Sequence, residues 1–306
     1  MFTALGQIAV FIAIGALWRF IKPMGIGVSA MQRPLFTLIY AVLLPALVFF
    51  VTWKMPLNQT ALRMLVIMVV VTLVALALAW FYYKQTNLPR RIQGPLIIAA
   101  VFGGVAFFGL PATKMLVAGW TARVAIEYML VANVLILLTV GTFLLSSYGG
   151  EDAPKEKPGQ ALIKEPLLWA AVVGLLLNLL EARVPGFLDG LYNMLSSSIP
   201  PLMLITLGLS LNWTAEWNKL IVRGLLPAAG LKLILVPLMV WGMVWLIGPV
   251  GAKGLKALMI DAAVPGFLFG IVLCERYKLT TAAYIAALSF TTVLSFIAIP
   301  VWLSLV

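Results

Sequence analysis

Two ionisable residues lie inside apolar stretches of the sequence, and they are its first candidates for chemistry. Lys232 and Asp261 each fall within a segment that is long and apolar enough to cross a bilayer. Charge at the centre of a bilayer is expensive, so an intramembrane ionisable group is a functional candidate by default. We consider two arrangements. Either the two residues form a buried charge pair, or Lys232 extends its side chain to the membrane surface and Asp261 acts alone, as a proton carrier in transport.

Glycine and proline interrupt two apolar segments, 94–118 and 253–274, which are the predicted helices 4 and 9. Interrupted membrane helices expose backbone groups at mid-membrane, and the partial positive charge of a helix N-terminus suits an anion there. Glycine has no side chain to obstruct the approach of a carboxylate to backbone amides. We expect breaks around Gly109–Pro111 and Val264–Gly266. The predicted substrate-binding residues are Gly104, Gly109, Leu110, Pro111, Val264, Pro265 and Gly266.

Four other polar residues lie in or beside the apolar segments. Lys114 follows Pro111 by three positions and either draws an anion inward or anchors its helix at the outer surface. Asn133, Asn178 and Thr206 either line a transport pathway or hydrogen-bond neighbouring helices.

The composition excludes several classes of function. The 306-residue chain has no histidine and one cysteine, Cys274, which excludes histidine general bases, His-ligated zinc, iron–sulfur clusters and intrachain disulfides. We therefore predict no enzyme, no metal site and no cofactor. The net charge of +11 comes from basic residues in short loops, where orienting membrane helices is a commoner role than binding nucleic acid.

The elements that position these residues are membrane helices. Hydrophobic residues make up 63% of the chain and charged residues 10%, with a mean hydropathy of +1.09. A bilayer core takes roughly 20 helical residues to cross. The predicted spans are 3–20, 34–53, 62–83, 94–118, 125–146, 167–183, 191–211, 222–247, 253–274 and 281–304.

The prolines indicate that the second half of the chain repeats the first. Pro45 and Pro200 are 155 positions apart, and Pro111 and Pro265 are 154 apart. Because each half has five predicted helices, an odd number, the second half must be inverted in the membrane. Inverted repeats with Gly/Pro-interrupted helices at matching positions are typical of secondary transporters. The predicted parts are a first repeat (1–148), a polar cytoplasmic linker (149–166) and a second repeat (167–306).

The loop charges predict an orientation. Of the 21 Lys and Arg residues, 13 lie on the side reached after the odd-numbered helices and 7 on the opposite side, and Lys232 lies within a helix. By the positive-inside rule the first side is cytoplasmic. We therefore expect a multi-pass protein of the cell inner membrane with both termini periplasmic or extracellular.

The second half resembles the auxin efflux carrier family in the order and spacing of its motifs. The segments that carry the resemblance are 164–178, 199–211, 231–237, 262–277 and 281–305. The resemblance implies an all-α membrane protein of ten helices in two inverted repeats, similar to sodium–proton antiporters and bile-acid symporters. Helices 1, 2, 6 and 7 would form a scaffold, and helices 3–5 and 8–10 a transport domain in which broken helices 4 and 9 cross. Members often carry an asparagine near each crossover, and neither predicted break has one.

We therefore predict a secondary transporter of a small organic anion. The resemblance to bacterial members of the family implies a mono- or dicarboxylate such as malonate or malate. The predicted mechanism is alternating access at the crossing of helices 4 and 9. The chain has no nucleotide-binding motif, so the energy would come from a gradient of the substrate or of a driving ion, H⁺ or Na⁺. A sodium-coupled carrier similar to bile-acid symporters is the alternative, and a channel is a weaker one. The expected partners are the organic anion, the bilayer and a second copy of the chain, bound through the scaffold helices.

Overall fold

The computed structural model describes residues 2–149, Pro154, 160–212 and 220–306. These residues form helices and contain no strand. We number the longer helices in chain order and give each half of an interrupted helix a letter. They are α1 Phe2–Ile21, α2 Val28–Lys54, α3 Gln59–Lys84, α4a Arg90–Val101, α4b Val105–Leu116, α5 Gly119–Tyr148, α6 Pro166–Leu179, α7 Gly186–Ser210, α8 Ile221–Ile247, α9a Ala252–Ala262, α9b Gly270–Arg276 and α10 Thr281–Leu305.

Six of these helices are long and apolar enough to cross a membrane: α1, α2, α3, α5, α8 and α10. Helices α4b and α6 are apolar but shorter. Each predicted apolar segment coincides with a helix, and the segments 94–118 and 253–274 each fall on an interrupted helix. The chain is therefore a multi-pass, all-helical membrane protein.

Four prolines of this protein follow widened turns in helices that continue through them. Proline removes a backbone donor and crowds the preceding turn, and a π-helical turn makes room for its ring. Four π-turns each end two residues before a proline: Ile39–Leu43 before Pro45, Val105–Gly109 before Pro111, Ile221–Leu225 before Pro227, and Leu231–Leu235 before Pro237. The predicted helix break at Gly109–Pro111 is therefore wrong in position, because α4b runs through these residues.

Close helix crossings join the two halves of the chain. Helix α1 packs along α7, and a Cβ on Gly15 or Gly208 would overlap the backbone of the other helix. Helix α2 packs along α6, where a Cβ on Gly174 would overlap Thr52. The interrupted helices lie deepest in the protein, since every residue from 93 to 113 and from 257 to 268 is buried.

Candidate functional site at the crossing of the interrupted helices

The two interrupted helices meet through their non-helical backbone. Helix α4a ends at Val101 and α4b begins at Val105, and Gly103 between them forms an isolated antiparallel bridge with Gly266. Two backbone hydrogen bonds flank the bridge: Gly104 N–H to the Pro265 carbonyl at 2.6 Å, and Phe267 N–H to the Phe102 carbonyl at 3.0 Å. The break in helix 4 thus lies at 102–104, whereas the expected break at Val264–Gly266 is present between α9a and α9b.

This pairing engages several crossover amides that the sequence predicted to hold a carboxylate. The Gly104 and Phe267 N–H groups donate across the bridge, and the Gly266 N–H donates to Thr291 Oγ1 at 3.2 Å. All three amides therefore have acceptors within the protein. The amides of the first turn of α4b, Val105 to Phe107, have no carbonyl inside their own helix to bind, because the first N–H groups of any helix lack intrahelical partners.

The three predicted glycine positions differ in how closely other atoms approach them. A Cβ at Gly104 would lie 2.7 Å from the Gly266 carbonyl oxygen, and a Cβ at Gly109 would lie 2.5 Å from Asp261 Oδ1. At Gly266 the nearest atom, Leu288 Cδ1, would be 3.6 Å away, which is ordinary van der Waals contact. Backbone therefore constrains Gly104, whereas a methyl group at Gly109 would displace the Asp261 side chain and one at Gly266 has room.

Asp261 lies in α9a beside the crossover and is fully buried. Among the residues that the structure describes, neither of its carboxylate oxygens has a hydrogen-bond partner. Gly109 in α4b borders one of these oxygens, and Tyr128 in α5 is close enough to interact with the carboxylate electrostatically. A carboxylate without partners in a dry interior is costly, so this site must gain a proton, a cation or a ligand contact to be stable.

Lys232 lies in α8, also fully buried, on the other side of the crossover. Its Nζ donates to the Val101 carbonyl at 3.2 Å and lies next to Gly103. The side chain therefore does not reach the membrane surface. It also forms no direct salt bridge with Asp261, although the two charges are near enough to attract each other. The side chain of Val264 packs against both Gly103, beside Lys232, and Gly109, beside Asp261.

Asn133 brings a side-chain amide to the crossover from α5. Its Nδ2 donates to the Gly103 carbonyl at 2.8 Å, and its buried Oδ1 has no partner among the described residues. Neither interrupted helix supplies an asparagine, but this neighbour places one on the break in helix 4. The sequence marked Asn133 as a polar residue in an apolar helix; its position against Gly103 depends on the tertiary packing of α5.

The other predicted polar residues lie away from the crossover. Lys114 in α4b donates to the carbonyl and the hydroxyl of Ser196 in α7, both at 2.5 Å, so it joins the two helices. Asn178 donates to three carbonyls at the C-terminal end of α2, at 2.7 to 3.1 Å. Thr206 donates to the Leu202 carbonyl within its own helix. Of the three uncharged candidates, only Asn133 contacts the crossover.

A stack of aromatic rings, which the sequence did not identify, connects the crossover to α2. Phe36 stacks on Phe107 with ring centroids 5.7 Å apart, and Tyr40 stacks on Phe269 at 5.0 Å. Phe36 and Tyr40 also stack on each other at 5.5 Å. The sequence offered one signal of this stack: Phe36 and Tyr40 are four positions apart in a predicted helix, so both rings lie on the same helix face.

Two cavities with basic linings lie near opposite ends of α5. The first, of about 500 Å³, is lined by Lys54 and Arg123, and the second, of about 490 Å³, by Lys164, Arg276 and Thr142. Arg123 and Thr142 are 19 residues apart on α5, which corresponds to about 28 Å along a helix. Basic side chains outnumber acidic ones in both linings, although Lys54 is paired with Asp189 and the second cavity also contains Glu165.

Glu165, which precedes the first residue of α6, is the acidic group of the second cavity. Its burial raises the pKa of this carboxyl group above its ordinary value, and hydrogen bonding from the Tyr40 hydroxyl and the Leu167 N–H lowers it in part. The protonated form of Glu165 is therefore favoured in the folded protein relative to a carboxyl group in water.

Interrupted, crossing helices in an all-helical membrane protein are typical of transporters. A family model described as membrane transport protein matches residues 1–303. The chain belongs to this family, which is that of the auxin efflux carriers, so the family resemblance is confirmed.

The chain is similar to several transporters that are themselves uncharacterized. It is 26% identical over 231 residues to one from Methanothermobacter thermautotrophicus, which covers 74% of this chain and 72% of the relative. It is 26% identical over 294 residues to one from Methanocaldococcus jannaschii, covering 92% of each. It is 26% identical over 172 residues to the transporter YfdV of Escherichia coli, covering 55% of this chain and 53% of that protein.

Proposed function

We propose that this chain is a secondary active transporter that carries a small organic anion, a mono- or dicarboxylate such as malonate or malate. The observation that carries the proposal is the crossover, where two interrupted helices pair through Gly103 and Gly266. A buried lysine lies on one side, and on the other lies a buried aspartate that has no hydrogen-bond partner among the described residues. The family supports transport, and the basic cavities near the two ends of α5 support an anionic cargo.

The proposed architecture is ten helices in two inverted repeats, with α1, α2, α6 and α7 as a scaffold and the other helices as a transport domain. The packing supports this arrangement. If the second five helices repeat the first, then α6 corresponds to α1 and α7 to α2. Helix α1 packs along α7 just as α6 packs along α2, which is the exchange that such a repeat requires.

In the proposed mechanism the crossover holds the anion while the transport domain moves against the scaffold. Lys232 supplies positive charge beside the break in helix 4. The amides in the first turn of α4b, which lack acceptors within their own helix, add donors of the kind that bind anions at helix N-termini. The apolar body of the substrate would contact the aromatic side chains of Phe107 and Phe269.

Asp261 is proposed to couple transport to an ion gradient. Its oxygens lack hydrogen-bond partners within the described residues, so a proton or a sodium ion has a vacant acceptor to bind. Binding of that ion would remove the penalty of a buried, unpaired carboxylate and thereby change the relative stability of the two access states. The membrane is proposed to be the cell inner membrane, with both termini outside the cytoplasm, and the scaffold helices to mediate a homodimer.

Uptake into proteoliposomes tests the proposal. Purified protein is reconstituted, and uptake of radiolabelled malonate or malate is measured with an imposed proton gradient, with an imposed sodium gradient, and with neither. We expect saturable uptake that one gradient accelerates. Dependence on sodium alone would favour a carrier similar to bile-acid symporters. Absence of uptake for every carboxylate tested, or single-channel currents across a planar bilayer, would contradict the proposed function.

A further inference from the structure

A third cavity, of about 640 Å³, lies between the C-terminal end of α3 and the N-terminal part of α8, and none of the crossover residues named above lines it. It opens on the outer face of the helix bundle, since Phe81 in its wall is 61% exposed and Leu78 is 41% exposed. Its wall combines a polar group of residues with an apolar one. The polar residues are Gln85, Thr86, Asn87 and Arg223, and the others are Leu78, Phe81, Tyr82, Leu231 and Leu235. We call this cavity the α3–α8 groove.

The polar and apolar parts of the α3–α8 groove lie at different depths. Arg223 is the third residue of α8 and Gln85 directly follows α3, so both lie at the same end of the two spanning helices. Leu235 is 12 residues beyond Arg223, or about 18 Å along the helix, and Leu78 is seven residues before Gln85, or about 11 Å. The groove therefore runs from the membrane boundary into the hydrocarbon region.

A buried hydrogen bond fixes the two walls of the groove relative to each other. Tyr83 on α3 is fully buried, and its hydroxyl donates to the Gly224 carbonyl at 2.6 Å. Gly224 follows Arg223 within the π-turn that opens α8. The turn that carries the arginine is thus attached to α3, so the guanidinium group and the apolar wall keep their relative positions without a ligand.

No acidic group among the described residues balances the charge of the groove. Among the described residues Arg223 has no hydrogen bond and no salt bridge, and the lining contains no acidic side chain. Basic pockets between membrane helices near the membrane surface are sites where anionic lipid headgroups bind. Phe81 and Tyr82 add the aromatic side chains that are enriched at this depth.

We propose that the α3–α8 groove binds an anionic phospholipid. The phosphate would contact Arg223, the amides of Gln85 and Asn87 would bind headgroup oxygens, and one acyl chain would lie along Leu231 and Leu235. At ~1.5 Å of rise per residue, the apolar wall extends about 11 to 18 Å into the membrane. A small carboxylate is too short and too polar to contact such a wall, whereas a phospholipid has both a charged headgroup and long acyl chains.

Thermal unfolding of the purified, detergent-solubilised protein tests this proposal. Phosphatidylglycerol, phosphatidylcholine and inorganic phosphate are titrated separately against the wild type, Arg223→Ala and Arg33→Ala. Arg33 is an exposed arginine near the start of α2, which lies outside the groove, so its variant is matched in charge. We expect phosphatidylglycerol to stabilise the wild type and Arg33→Ala, with an affinity about fivefold lower in Arg223→Ala, the effect of one basic residue near a lipid surface.

A second variant tests the apolar part of the groove. Leu231→Trp fills the space expected for the acyl chain and retains Arg223, and we expect it to weaken phosphatidylglycerol binding as well. An unchanged affinity in both Arg223→Ala and Leu231→Trp would overturn the proposal. So would equal stabilisation of the wild type by phosphatidylcholine or by inorganic phosphate, because the site would then recognise apolar chains alone or any phosphate.

Discussion

The glycine pair at the crossover provides a test that depends on the geometry alone. Gly104→Ala adds a methyl group 2.7 Å from the Gly266 carbonyl oxygen, and this oxygen belongs to backbone that is held on both sides by the bridge. Gly266→Ala adds the same methyl group with its nearest neighbour at 3.6 Å. Both residues belong to the same crossing, so we expect the same substitution to be damaging at the first position and tolerated at the second.

The expected magnitudes follow from the contacts. Overpacking in a buried site costs about 1–3 kcal/mol. Relief of the overlap would lengthen the Gly104–Pro265 hydrogen bond, now 2.6 Å, and a lost hydrogen bond costs about 1 kcal/mol more. Gly104→Ala should therefore lower the free energy of unfolding by roughly 2–4 kcal/mol. Gly266→Ala should change it by less than about 1 kcal/mol, with stabilisation as the expected direction because alanine restricts the unfolded chain.

Thermal unfolding of both variants in the same detergent measures the difference. With a change of about 2–4 °C per kcal/mol for a large chain, Gly104→Ala should unfold roughly 5–15 °C below the wild type, and Gly266→Ala should unfold close to it. Equal losses at the two positions, or a larger loss at Gly266, would refute the backbone pairing as the basis of the crossing.

Three further predictions concern coupling, topology and pH. Asp261→Asn should abolish gradient-driven uptake of carboxylate and leave folded protein in the membrane, whereas Glu275→Gln, the same change at an exposed position, should transport normally; unchanged uptake by a folded Asp261 variant would remove this residue from the mechanism. An alkaline phosphatase fused after Val306 should be active, as expected for a C-terminus outside the cytoplasm. An inactive phosphatase fusion, together with a fluorescent-protein fusion at the same position that fluoresces, would show the opposite orientation. Burial raises the pKa of Glu165 in the folded protein, so this carboxyl group binds a proton more readily there than in the unfolded chain. The contribution of Glu165 to stability therefore falls as the pH rises through and above 4.5, the ordinary pKa of a glutamate. Glu165→Gln should therefore unfold at a higher temperature relative to the wild type at pH 7 than at pH 4, and a difference that does not depend on pH would contradict this.

The sequence was sufficient to predict the helices because hydropathy determines which segments can cross a bilayer. All ten apolar segments coincide with helices, and the two interrupted ones are those rich in glycine and proline. The position of the break in helix 4 was not predictable by the same rule. Pro111 lacks its backbone donor in either case, but a π-turn accommodates it, whereas Gly103 and Gly104 leave the helix because Pro265 and Gly266 supply backbone partners from a distant part of the chain.

Placement of the site depended on helix rotation, which the sequence determines only in part. Helical rise places Lys232 and Asp261 at similar depth, but the side of α8 and α9a that each occupies depends on packing. In the structure Val264 packs against the glycine beside each charge, and each charge meets a different glycine of helix 4. The contact of Asn133 with Gly103 depends on packing in the same way, since nothing near Asn133 in the sequence indicates its partner.

The backbone bridge also determines which contacts must change if the proposed transport domain moves against the scaffold. Hydrogen bonds across Gly103 and Gly266 attach helix 4 to helix 9, so the crossover moves as one unit. The contacts between that unit and α2 include ring stacks, with Phe36 on Phe107 and Tyr40 on Phe269. Stacked rings have weak directional preferences, worth about 0.5–1.5 kcal/mol per pair beyond their buried area, so one ring can slide over another at lower cost than a buried backbone hydrogen bond can break. The movement between access states should therefore include sliding at the ring stack and loss of the Lys114–Ser196 hydrogen bonds between α4b and α7, while the crossover keeps its own hydrogen bonds in both states.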